Sequence, residues 1–82
     1  MTNSVETSEL GARPMLLSAR SIAELLDMSV SSWHRLVAAG KTPRPIKLNG
    51  STRWRANDLE TWVALGCPIR DTFEELMEND DH

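Results

Sequence analysis

From Leu16 to Leu65 the apolar positions follow two different periods, and the changes of period mark the elements. In "LLSARSIAELLD", Ile22, Leu25 and Leu26 fall at i, i+3 and i+4, one stripe of an amphipathic helix. Ser18 precedes it and is suited to cap its first turn. Arg20 and Glu24 sit off the stripe. "SVSSWHRLVAAG" repeats the spacing with Trp33, Leu36 and Val37, and Val30 joins the same face. Ser29 is the expected N-cap, and Gly40 the left-handed residue that ends the helix. The face left over holds Ser31, Ser32, His34 and Arg35. So short a gap between two helices suits a helix-turn-helix crossing rather than an antiparallel pair.

The period then changes. Pro43 and Pro45 forbid helix, and "IKLNGSTRWR" alternates around Asn49-Gly50, the strongest short hairpin signal. Two registers compete. A two-residue loop sets Ile46 opposite Arg53 and Leu48 opposite Ser51. A three-residue loop sets Ile46 opposite Trp54 and Leu48 opposite Thr52. The second gathers the apolar residues on one face and Lys47, Arg53 and Arg55 on the other, so burial favours it. "RANDLETWVALG" returns to the helical period through Leu59, Trp62 and Val63. Asn57 and Glu60 form a capping-box variant at its start, with Gly66 and Pro68 at its end. "PIRDTFEELMENDD" holds a further acidic turn or two with Phe73, Leu76 and Met77 on its apolar side. So short a helix must dock to persist.

Charge changes the picture more than size does. The 82 residues carry a formal charge of -3, yet residues 28–57 hold six Arg or Lys and no acid. Residues 67–82 hold Arg70 against six acids. A basic block acts locally, within a screening length of ~8–10 Å, so a polyanion partner is compatible with the acidic total. One small domain is expected, with a core supplying no more than ~3–5 kcal/mol. A single cysteine, Cys67, excludes an internal disulfide framework and a multi-cysteine zinc site. No run is long enough to span a membrane, and the first residues lack the basic start and apolar segment of a secretion signal. No spacing among the serines, acids and two histidines matches a nucleophile or metal site. No catalytic activity, metal or cofactor is expected.

The order of helix, turn, helix, basic hairpin and helix reads as a mainly α winged helix-turn-helix with a small β-hairpin. The residues also carry a resemblance. Ala23, Leu25 and Leu26 fit an apolar first helix; Ser29, Ser31 and Ser32 open the second; Trp33, Arg35 and Leu36 follow. Gly40, the Pro43–Pro45 turn, Arg53-Trp54-Arg55, and Leu59 with Trp62 complete the order. Over about residues 16–65 the chain resembles the small DNA-binding domains of the AlpA and excisionase group, related to the MerR-type winged helix. It departs from that pattern at Asp27, where Gly is usual, at Trp33, often Tyr, and in a hairpin tip about one residue shorter.

The resemblance implies sequence-specific double-stranded DNA binding by an excisionase-like factor or small transcriptional regulator in the bacterial or phage cytoplasm. An integrase or RNA polymerase is its candidate protein partner. Ser31, Ser32, His34 and Arg35 would meet base edges in the major groove, with Arg35 able to take a guanine bidentately. Lys47, Asn49, Ser51, Arg53 and Arg55 would form the wing on the backbone or minor groove; Arg20, Lys41 and Arg44 would add phosphate contacts. Arg53 has Asp58 or Glu60 as alternative structural partners. Residues 1–14 read as a disordered arm, 15–66 as the DNA-binding domain and 67–82 as an acidic, part-helical tail. That tail is a candidate decoy for the basic face. Without a dimerisation helix, a monomer that cooperates on DNA is expected. The competing reading is a protein-interaction module that uses the winged fold and the acidic tail.

Overall fold

Ser18 and Ser29 start the first two helices, as their types and positions predict. Each stands in extended backbone, and its hydroxyl accepts the N–H three residues on, from Ser21 at 3.2 Å and Ser32 at 3.0 Å. A computed structural model describes residues 13–80. Their order is β1 (Leu16–Leu17), α1 (Ala19–Leu25), α2 (Val30–Ala38), β2 (Ile46–Leu48), β3 (Ser51–Arg55), α3 (Ala56–Ala64) and α4 (Arg70–Asp80). The expected N-terminal arm lies outside the described residues as far as residue 12. Among the described residues no helix is long and apolar enough to cross a membrane.

The turn after α1 is closed by Asp27 in the left-handed region (φ 59°). Asp27 N–H donates to Glu24 and Met28 N–H to Ala23. This two-bond pattern satisfies carbonyls that the helix leaves open. Asp tolerates the conformation better than most side chains. Gly40 ends α2 in the same way, at φ 72°, with its N–H on Val37 and that of Lys41 on Leu36.

The strands form an antiparallel sheet of order β1-β3-β2. Leu16 and Leu17, read as the approach to a helix, instead pair with Arg55 and Trp54. The hairpin register differs from the one that burial favoured. Ile46 faces Arg53, Lys47 faces Thr52 and Leu48 faces Ser51. Asn49 and Gly50 both take positive φ, 53° and 83°. That is the two-residue turn whose twist matches the strands, and Asn-Gly adopts it most readily. Local turn geometry outweighs burial here because the core does not need β2. Trp54 is covered by β1, α2 and α3, and Leu48 remains 56% exposed. Lys47 therefore shares a sheet face with Trp54, whereas Arg53 and Arg55 lie on the other face with Ile46 and Leu48. The three cations do not point outward together.

Three indoles centre the core. Trp33 meets Trp54 edge-on at 5.4 Å and Trp62 at 5.9 Å between ring centroids. Leu17, Ile22, Leu59 and Phe73 close around them. Ala23, not Leu25, completes the inner face of α1, and Leu25 is 70% exposed. Val30 and Val63 also turn outward. The start of α3 differs from the capping-box reading: its N-cap is Arg55, without a side-chain cap. The Ala56 N–H is taken by the Met15 carbonyl at 2.9 Å, so sheet pairing runs straight into the helix and places its start there. Asp58 then stands in the first turn, where a carboxylate suits the helix dipole. The acidic tail is helical over eleven residues, longer than a turn or two. It docks through buried Phe73 and partly buried Met77, with Leu76 left at the surface.

Candidate nucleic-acid interface

The outward face of α2 follows from the inward one. With Trp33 buried and Leu36 and Val37 packed on the core, Ser31, His34 and Arg35 are exposed and Ser32 is half-buried. A hydrogen-bonded row runs along this face. Ser29 Oγ donates to Ser32 Oγ at 3.0 Å, and Arg35 Nη2 donates to the same oxygen at 3.2 Å. The row draws the guanidinium back over the preceding turn, the direction helical side chains favour. The first turn of α2 holds no acid, unlike those of α3 and α4. The positive end of the helix dipole is thus left without a local carboxylate, while Arg35 itself stands in the last turn and reaches back to Ser32. Such an end accepts a phosphate or another hydrogen-bond acceptor readily.

Val30 belongs to this surface as well. Its spacing from Trp33 places it inward, yet it is 37% exposed. An exposed methyl-bearing side chain next to Ser31 suits contact with a thymine methyl. Its apolar type concealed it in the sequence.

The hairpin supplies two separate cationic sets. Arg53 is half-buried, and its Nη1 donates to the Thr52 carbonyl at 2.9 Å. Neither Asp58 nor Glu60 holds it. Asp58 lies 3.6 Å from Arg55, and Glu60 pairs with Arg13 at 2.8 Å. Lys47 is exposed on the opposite sheet face, beyond the reach of the core. Asn49 is exposed at the tip, and Ser51 is half-buried beside it.

Arg20 on α1 and Lys41 after α2 are exposed. Among the described residues, Arg20, Arg35, Lys41, Lys47 and Arg53 have no carboxylate within 4.0 Å. Arg44 differs. Its Nε donates to Glu74 Oε2 at 2.9 Å and its Nη2 to Oε1 at 3.4 Å. This hydrogen bond, then the neighbouring charge, raises the guanidinium above its ordinary value. The same hydrogen bond holds the Glu74 carboxyl below the usual glutamate range. Glu74 stands 30 positions from its partner in the segment read as an acidic, part-helical tail, so only tertiary docking reveals the pair.

Docking of α4 also braces the end of α2. The Arg70 backbone N–H donates to the Gly40 carbonyl at 3.0 Å, and Arg70 Nε donates to that of Thr42 at 2.9 Å. Thr42 is fully buried and its hydroxyl donates to the Pro43 carbonyl. The loop that carries Lys41 and Arg44 is therefore held from both sides.

Comparison of the chain with models of known protein families, with curated proteins and with solved structures finds no match.

Proposed function

We propose that the chain is a winged helix-turn-helix protein that binds double-stranded DNA sequence-specifically, as an excisionase-like factor or small transcriptional regulator. α2 is the reading helix and the β2–β3 hairpin the wing. The observation that carries this reading is the outer face of α2. Ser31, His34 and Arg35 are exposed there, Arg35 is oriented by Ser32, and no acid stands in the first turn. Arg35 reads a base edge; Arg20, Lys41 and the wing cations grip phosphates, which position the protein without reading sequence. A module this small buries only ~600–1,000 Å² on DNA, so a monomer in solution loads more than one copy on a native site.

The test is selection of bound duplexes from random DNA, followed by fluorescence anisotropy at several salt concentrations. Arg35→Ala relaxes the preference at one base pair by ~1–3 kcal/mol. Arg53→Ala weakens all sequences alike and flattens the salt slope by about 0.9. Wild-type protein that retains no duplex, or variants that bind as wild type does, would sink the proposal. One feature favours a protein-interaction module instead: an open apolar groove of about 760 Å³ between α1 and α3, lined by Leu25, Leu26, Leu59 and Val63. That reading is left standing if no duplex binds.

A further inference from the structure

We propose that α4 is a built-in competitor for DNA: in the free protein Glu74 occupies Arg44, and a duplex phosphate must displace it. This inference rests on the DNA-binding reading above and concerns the regulation of that same surface.

The argument begins with geometry. Arg44 lies in the loop between the reading helix and the wing, and Glu74 meets it with both carboxylate oxygens, at 2.9 and 3.4 Å. In this fork arrangement the carboxylate takes up the guanidinium donors that a phosphate would use. The two side chains are 65% and 41% exposed. Nothing seals the pair, so an incoming anion can reach it. An exposed ion pair of this kind is worth a factor of about 1.5–5 in an equilibrium constant, enough to compete with a phosphate and not enough to lock it out.

Anchoring is the second point. α4 does not depend on Glu74 to stay in place. Phe73 is 4% exposed within the core, and Arg70 bonds the Gly40 and Thr42 carbonyls. The carboxylate is therefore held beside Arg44 by contacts that remain when the ion pair opens. Asp71, Glu75 and Glu78 are exposed on the same helix, and the Asp71 charge acts on Arg44 as well. They add a field that disfavours a polyanion. If the pair served only to fasten α4, removing it would lower stability and leave DNA affinity unchanged. If Glu74 competes, removing it tightens binding.

The experiment titrates the full chain into a labelled duplex selected as above, by anisotropy between 50 and 200 mM salt. The variants are Glu74→Gln, Glu75→Gln, Arg44→Gln and the double Arg44→Gln/Glu74→Gln. Thermal unfolding confirms that each is folded. Glu74→Gln is expected to bind about 2–5-fold tighter with the salt slope unchanged, because Arg44 meets the same phosphate once Glu74 has been displaced. Glu75→Gln makes the same change in net charge without freeing Arg44, and its gain is expected to be smaller, with no change of slope. In the Arg44→Gln background the Glu74→Gln gain is expected to vanish. An unchanged affinity in Glu74→Gln, an equal gain in Glu75→Gln, or a gain that survives Arg44→Gln would overturn the inference and leave the DNA reading intact. Wild-type protein that binds no duplex would overturn both.

Discussion

Trp33 offers the sharpest check on how α2 is divided between core and surface. Its side chain is fully buried, edge-on to Trp54 and Trp62. Truncation of a buried aromatic to Ala costs ~3–5 kcal/mol through lost burial and the cavity left behind. A core of this size supplies about that much in total. Trp33→Ala is therefore expected to be largely unfolded at 25 °C. Trp33→Phe is a different perturbation. The indole Nε1 is buried and, among the described residues, has no hydrogen-bond partner. An unsatisfied buried donor costs ~1–3 kcal/mol, and Phe removes that cost. Phe also forfeits the apolar burial of the larger ring system, about 1 kcal/mol or somewhat more. The two terms oppose each other, so the net change should stay within about 1.5 kcal/mol of zero. Urea unfolding followed by far-ultraviolet circular dichroism measures both variants. With a slope of ~1–3 kcal/mol/M, the midpoint for Phe should move by about 1.5 M at most. Wild-type stability in Trp33→Ala would refute the burial of this residue. Equal losses in the two variants would refute the cost assigned to the indole N–H.

Two further expectations concern the docked helix. Arg70→Gln removes a charge-assisted hydrogen bond to the carbonyl of fully buried Thr42, worth ~1.5–3 kcal/mol at full strength and less here because Arg70 is partly exposed. The longer approach to Val37, at 3.5 Å, adds little. A loss of about 1 kcal/mol lowers Tm by ~4–8 °C in a domain of this size; an unchanged Tm in calorimetry would count against the brace. The Glu74 carboxyl is held below its ordinary value by Arg44, so its contribution to stability is present above the unfolded glutamate value and is lost as pH falls through the depressed folded one. Titration followed by carboxyl-carbon NMR should show a midpoint below that of a free glutamate, and Arg44→Gln should restore the ordinary value. A wild-type midpoint already at the ordinary value would contradict the ion pair.

Much of this fold is legible in the chain because its signals are local. Ser18, Ser29 and Gly40 act through hydrogen bonds and backbone angles within one turn. The placement of two helices, and the end of a third at Gly66, follows from neighbours in sequence alone. The exposed set on α2 is legible for the same reason, since burying Trp33 and Leu36 obliges Ser31, His34 and Arg35 to face away. Apart from the capping box of α3, displaced by the Met15 contact, the readings that failed share one property: each depended on which surface the core would cover. Ile46 and Leu48 alternate as if one face of the hairpin were buried. The short strand at Leu16–Leu17 and two helices already enclose Trp54, so the Asn49-Gly50 turn sets the register and Lys47 parts from Arg53. Leu25, Val30 and Val63 satisfy a helical stripe yet lie at the edge of a core too small to reach them.

The sequence by itself determined where the first two helices begin and turn, which indoles make the centre, and that the middle of the chain is basic and its end acidic. It could not determine that the two charged regions meet. The pairing of Glu74 with Arg44 spans 30 positions, and it exists only because Phe73 finds room in the core and Arg70 finds open carbonyls at the end of α2. Local propensity carries no information across that distance; packing does.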